Sequence, residues 1–217
     1  MKLFADTGNL KELEALAILG ILDGVTTNPS LMAKESGDPR QILKQICALV
    51  KGPVSAEVVA TDAAGMIREG RDLAAIDEHI VVKVPFTKDG VKACKTLASE
   101  GLRVNVTLIF SATQAWLAAK VGAAYVSPFV GRLDDVGTTG MNLVREIVDI
   151  FDNFEYSTEV LVASVRNPIH IVEAARMGAD VVTVPPAVIE QSFKHPLTDI
   201  GLAKFLKDWE QSQTAKV

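Results

Sequence analysis

Ile80-Val81-Val82-Lys83-Val84-Pro85 is a run of branched apolar residues broken by one lysine. Near-continuous apolar strands belong to parallel sheets, where both faces are covered. Ala179-Asp180-Val181-Val182-Thr183-Val184-Pro185 repeats the pattern near the other end of the chain. Between and around them, short β-branched runs alternate with helical patterns. The strands expected are Lys2–Thr7, Val25–Asn28, Val54–Val59, Ile80–Pro85, Arg103–Ile109, Ala124–Phe129, Glu159–Val165 and Val181–Pro185. Helical spacing marks Pro39–Val50, Ser111–Val121 with Ser111 as N-cap, and Gly140–Phe154. The eight strand starts lie 21 to 35 residues apart, each followed by a helix. Strand–helix units with short loops give parallel strands and right-handed crossovers. Eight such units predict an α/β fold, a closed (β/α)8 barrel. The rival is an open doubly wound sheet, but no Gly-rich dinucleotide loop follows the first strand.

The chain has 217 residues, a length at which one domain is expected, spanning residues 1–217. No linker, low-complexity run or composition shift divides it. Twenty-two basic and 27 acidic residues give a net charge of −5. That argues against a nucleic-acid partner held by a broad basic surface, yet leaves room for a small basic pocket. Cys47 and Cys94 have neither disulfide-framework nor zinc spacing, and read as buried thiols in a reducing compartment. The longest apolar run, Ala15–Leu22, is far short of the about 20 residues a membrane span needs. MKLFADTGN does not read as a secretory leader. A cytoplasmic protein without a membrane partner is the expectation. Residues 197–211 follow the eighth unit as a terminal helix, with Leu202, Phe205, Leu206 and Trp209 in one stripe. This helix either closes the barrel's own outer surface or docks on a neighbouring subunit.

Polar residues recur near the strands' C-terminal ends, the rim where barrel sites are built. They are Asp6, Asn28, Glu57, Lys83, Asn105 with Thr107, Ser127, and Ser164 with Arg166. Taken singly, Asp6 reads as a helix cap and Asn28-Pro29 as a turn. Lys83 has three readings: a snorkelling surface lysine, a phosphate clamp, or a nucleophile. An apolar surround disfavours an ammonium ion, and a neutral amine forms a Schiff base with a carbonyl. Strand alternation puts Ser55 and Glu57 on one face beside Val81 and Lys83. Glu57 is then an ion-pair partner or a proton shuttle for carbinolamine chemistry, and Asp6 a second acid–base group. Arg132 and Arg166 suit a phosphate or carboxylate, or else pair with Asp134, Asp135 or Glu173 at the surface. His79, His170 and His195 have no metal-ligand spacing. Neither a nucleophile elbow nor a Walker loop is present.

The chain resembles the transaldolases over its whole length. The likeness runs through Phe4-Ala5-Asp6-Thr7, Val25-Thr26-Thr27-Asn28-Pro29-Ser30, Val82-Lys83-Val84-Pro85, Asn105-Val106-Thr107-Leu108-Ile109-Phe110-Ser111, Ser127-Pro128-Phe129-Val130-Gly131-Arg132 and Ala163-Ser164-Val165-Arg166-Asn167. It is most similar to the small subfamily that also holds the fructose 6-phosphate aldolases. The resemblance implies a TIM barrel of the class I aldolase type. It implies transfer of a dihydroxyacetone unit in the pentose phosphate pathway, between sedoheptulose 7-phosphate or fructose 6-phosphate and glyceraldehyde 3-phosphate or erythrose 4-phosphate. Lys83 would carry the Schiff base, Glu57 the proton traffic through a water shared with Thr107, and Asp6 the C4 hydroxyl proton. Asn28, Asn105 and Ser127 would bind the dihydroxyacetone hydroxyls and the iminium region. Arg132, Arg166 and Ser164 would bind the phosphate. No cofactor or metal is implied. The resemblance also implies a ring homo-oligomer, commonly a decamer of two pentamers. Fructose 6-phosphate aldolases have Gln at the Glu57 position, Tyr at Phe129 and Lys at Arg166. The Glu57 and Phe129 positions favour transfer over release of free dihydroxyacetone, and Arg166 also matches the transaldolases. Val165 departs from the Phe common in larger transaldolases. A non-catalytic sugar-phosphate-binding barrel is the reading of another class, and needs the arginines but not Lys83.

Overall fold

The computed structural model describes residues 1–214. The elements, in chain order, are β1 (Lys2–Asp6), α1 (Leu10–Ile18), β2 (Gly24–Thr26), α2 (Pro29–Met32), α3 (Pro39–Val50), β3 (Val54–Glu57), α4 (Ala63–Ala74), β4 (Ile80–Pro85), α5 (Lys88–Ser99), β5 (Val104–Ile109), α6 (Ala112–Lys120), β6 (Tyr125–Pro128), α7 (Val130–Asp135), α8 (Gly140–Asn153), β7 (Glu159–Val162), α9 (Pro168–Met177), β8 (Val181–Val184), α10 (Pro186–Ser192) and α11 (Pro196–Thr214). All eight strands are parallel and pair in sequence order, and β8 closes onto β1. Closure removes the open-sheet alternative and leaves a (β/α)8 barrel.

Two separate apolar layers explain the continuous hydrophobic strands. Along β4, Ile80, Val82 and Val84 face outward into the layer beneath the helices, while Val81 faces the barrel interior. The interior plug is Phe4, Val81, Tyr125, Leu161, Ala163 and Val181. Each large buried side chain here contributes roughly 1.5–3 kcal/mol. Gly24 makes the plug possible. A Cβ there would stand 2.5 Å from the Phe4 ring and 2.7 Å from the Pro53 carbonyl oxygen. The plug fills the lower barrel and leaves only the C-terminal mouth for polar side chains.

Several strands end earlier than the sequence pattern suggests. Asn28 is not in β2: its extended backbone (φ −153°) and side chain cap α2. Ser164 and Val165 lie beyond β7, because Ser164 adopts a left-handed φ of 60° and turns the chain out of the ladder. Side-chain caps start most helices directly after the strands, as with the Ser111–Gln114 capping box of α6. Short helices α2, α7 and α10 add to the seven described crossover helices, α1, α3, α4, α5, α6, α8 and α9, and the terminal α11. The terminal helix runs longer than expected, to Thr214, and buries none of its residues. Leu202, Phe205, Leu206 and Trp209 are all more than half exposed. This helix therefore does not close its own barrel. No described helix is long and apolar enough to cross a membrane.

Candidate active site

Strand register brings the central residues together. Glu57 pairs with Lys83 and Lys83 with Asn105 across β3, β4 and β5. Cross-strand partners share a face, so all three side chains enter the barrel mouth on one rung. Lys83 is 5% exposed, so its charge cannot lean on water. Its Nζ lies 3.1 Å from Glu57 Oε2 and donates to the Thr27 carbonyl oxygen at 3.1 Å. A snorkelling surface lysine is excluded by this burial. The Lys83–Glu57 ion pair is present, with amine and carboxylate near enough for proton exchange.

Asp6 ends β1, and its Oδ1 accepts from Thr26 Oγ1 at 2.8 Å. The Thr183 hydroxyl bonds to Thr26 in turn. Burial pushes the Asp6 carboxyl above its ordinary 3.8, opposed by the Thr26 hydrogen bond and the nearby Lys83 charge. Asp6 caps no helix; Asn9 caps α1 by accepting from the Lys11 and Glu12 amides. Asp6 is thus free for the cavity it lines.

Behind Lys83 runs a polar chain. Ser127 Oγ donates to Asn105 Oδ1 at 2.8 Å, and Asn105 Nδ2 donates to Ser55 Oγ at 3.2 Å. Thr107 Oγ1 is fully buried and has no hydrogen-bond partner. An unpartnered buried hydroxyl costs about 1–3 kcal/mol, so Thr107 has hydrogen-bonding capacity left over for a further partner. It sits where β5 carries one residue more than β6 between Val106 and Ile109, with Leu108 at φ 59°. Bulges of this kind re-aim side chains beside functional sites.

The mouth holds a cavity of about 220 Å³. Asp6, Asn28, Lys83, Ser127, Phe129, Arg132, Ser164 and Arg166 all line it. Glu57, Asn105 and Thr107 are not in the lining; Glu57 and Asn105 reach it through Lys83 and Ser127. Asn28 Oδ1 accepts from the Leu31 amide at 3.0 Å, so its nitrogen is the end left for a ligand. The Arg132 guanidinium lies 4.8 Å from the Phe129 ring centroid and has no carboxylate partner among the described residues. Arg166 differs: its Nη2 pairs with Asp135 Oδ2 at 2.7 Å, the surface ion pair that was one of its two readings. Gly131 sets the closeness of these two segments, since a Cβ there would stand 2.1 Å from the Ser164 carbonyl oxygen and 2.7 Å from Arg166 Cγ.

Two residues outside the expected set complete this corner: Thr26, which donates to Asp6, and Thr183, which bonds to Thr26. A signal existed. Val181-Val182-Thr183-Val184-Pro185 matches Val81-Val82-Lys83-Val84-Pro85 position for position, so Thr183 occupies the inward place of Lys83. His170, which lacks metal-ligand spacing, lies with Nε2 3.1 Å from Asp134 Oδ2.

A closed parallel barrel with a buried lysine–carboxylate centre at its C-terminal mouth defines an aldolase-type barrel enzyme. A family model described as Transaldolase/Fructose-6-phosphate aldolase matches residues 3–216. The chain belongs to this family. It is 58% identical over 212 residues to a probable transaldolase of Nitrosopumilus maritimus, covering 97% of this chain and 96% of the relative. It is 60% identical over 213 residues to a probable transaldolase of Rhodospirillum centenum, covering 98% and 92%. A probable transaldolase of Syntrophobacter fumaroxidans is 57% identical over the full length of both chains.

Proposed function

We propose that this chain is a transaldolase of the pentose phosphate pathway working through a Schiff base on Lys83. The observation that carries the reading is Lys83 Nζ held 3.1 Å from Glu57 inside a cavity that Asp6 also lines. Glu57 takes a proton from the lysine, and the free amine attacks the ketone carbon of sedoheptulose 7-phosphate or fructose 6-phosphate. Glu57 then protonates the carbinolamine hydroxyl, through a water for which the unpartnered Thr107 hydroxyl is a fitting holder. Water leaves and an iminium forms. Asp6 removes the C4 hydroxyl proton as the C3–C4 bond breaks, and the bonding electrons pass into the iminium to give an enamine. The aldose phosphate departs. The enamine carbon attacks the aldehyde of glyceraldehyde 3-phosphate or erythrose 4-phosphate, and Asp6 returns its proton to the new alkoxide. Hydrolysis frees the ketose and Lys83.

Asn28, Asn105 and Ser127 bind the dihydroxyacetone hydroxyls in this scheme. Arg132, Arg166 and Ser164 bind the phosphate, with Arg166 exchanging Asp135 for it. Glu57, Phe129 and Arg166 favour transfer over release of dihydroxyacetone, and the relatives' shared name supports the same choice. No cofactor enters the scheme. We further propose a single-domain subunit within a ring homo-oligomer, a decamer of two pentamers, joined by α11. The exposed stripe on that helix supports this. The buried thiols of Cys47 and Cys94, both pushed up to about 12 by burial, suit a cytoplasmic setting.

Borohydride reduction with fructose 6-phosphate tests the chemistry. The expected result is one reduced adduct on Lys83 in the wild type and none in Lys83→Ala, which turns over no substrate. Absence of any lysine adduct would leave only a sugar-phosphate-binding barrel. Product formation should need an acceptor aldose phosphate, and abundant free dihydroxyacetone without one would mean an aldolase instead.

A further inference from the structure

We propose that His170 and Asp134 are a positioning pair that sets Arg132 and Arg166 for the substrate phosphate; this rests on reading those arginines as phosphate ligands. The two arginines belong to different segments, α7 and the turn between β7 and α9. Main-chain bonds join the start of α7 to that turn, Val130 N to Ala163 O and Gly131 N to Ser164 O, both 3.0 Å. The far end of α7 is held by a side chain. His170, 8% exposed in the first turn of α9, reaches Asp134 Oδ2 with Nε2 at 3.1 Å. Its Nδ1 accepts from the Arg166 main-chain N–H at 3.3 Å. The imidazole thus spans the gap between the two arginine segments.

The same ring settles an electrostatic problem. Asp134 and Asp135 are two carboxylates beside a pocket meant for an anion. Asp135 is engaged by Arg166. Asp134 Oδ1 accepts from the Gly140 amide at 2.8 Å, and its Oδ2 lies 3.1 Å from His170 Nε2. Gly140 opens α8, whose Thr139 cap makes no side-chain hydrogen bond, so Asp134 fills that place at the helix's positive end. Removing the imidazole frees one carboxylate oxygen and the Arg166 amide together. The arginine segments then lose their spacing, and an incoming phosphate meets an unmasked charge.

The test compares His170→Ala, His170→Gln and Asp134→Asn in the full-length protein. Two affinities are read: the KM for glyceraldehyde 3-phosphate and the inhibition constant of inorganic phosphate. The rate of Lys83 trapping by unphosphorylated dihydroxyacetone and borohydride is the control. His170→Ala should raise both affinity constants about ten-fold, the scale of losing a hydrogen-bonded partner behind a ligand. Trapping by dihydroxyacetone should change far less. His170→Gln, whose amide N–H reaches Asp134, should recover most of the loss. Asp134→Asn should share the loss, because it removes the carboxylate that faces Nε2. The inference is overturned if both affinity constants stay at wild-type values, or if trapping falls in step with them. If Arg132→Ala and Arg166→Ala leave both constants unchanged, the phosphate reading itself fails.

Discussion

At the scale of the residue, Asp6 and the Lys83–Glu57 pair make opposite demands on the fold. The Asp6 carboxyl is raised by burial, so the native state binds its proton more tightly than the unfolded chain does. Stability from this group is therefore lost as pH rises from about 4 through the raised value. Asp6→Asn should gain Tm relative to wild type as pH climbs through that window, measured by calorimetry at several pH values. The same shift should move the acid limb of the kcat/KM profile above the ordinary carboxylate range, and Asp6→Asn should lose turnover at every pH. Removal of Lys83 strands Glu57, whose side chain is only 14% exposed. Breaking a buried pair costs several kcal/mol, reduced here by the rim position to roughly 2 kcal/mol. Lys83→Met should thus lose about 4–8 °C in Tm, and adding Glu57→Gln should restore most of it. Equal Tm for the two variants would mean the pair carries no such coupling. Lys83 was legible in the sequence because one charge interrupts an apolar run. Thr26 was not, because a threonine costs little anywhere in a strand, and Thr183 was legible only through the match of its strand to that of Lys83.

At the scale of the element, the strand ends and first helical turns build the mouth. The helical stripe of Pro39–Val50 and the Ser111 cap agree with α3 and α6. Strand ends were read too long, since β-branched patterning continues past the point where a cap or a left-handed residue turns the chain. Ser164 shows the consequence: its φ of 60° lifts Arg166 toward the cavity. Gly131 on α7 permits the approach. Gly131→Ala should force α7 away from the Ser164–Arg166 turn, and the KM for phosphorylated substrates should rise at least about ten-fold, as for other displaced positioning groups. Steady-state kinetics with fructose 6-phosphate checks this. An unchanged KM would show that the approach of these segments does not matter to phosphate.

At the scale of the whole molecule, the barrel is stable from within, while its last helix is not. The interior plug and the strand–helix layer bury both faces of the sheet. Helix α11 buries nothing, and its exposed Leu202, Phe205, Leu206 and Trp209 form an apolar stripe that water disfavours. Leu202→Glu with Phe205→Glu should therefore convert the proposed decamer to smaller species without lowering helix content, read by light scattering and circular dichroism. Retention of full-size particles would remove α11 from the assembly. The net charge of −5 belongs to this scale too. It describes solubility and passes over the two arginines at the mouth, because a sum over the chain has no positions in it.

By itself the sequence determined the barrel, through eight apolar strand patterns at helix-length intervals, and the rim, through polar residues at the strands' ends. It also determined the family, through motifs in order along the whole chain. The tertiary structure alone decided which polar residues touch. Lys83 meets Glu57 and Thr27, Asp6 meets Thr26, Arg166 meets Asp135, and His170 joins two loops. The reason is geometric. Patterning is a property of one strand or helix, but a hydrogen bond depends on strand register and loop path, which are set only when the sheet closes.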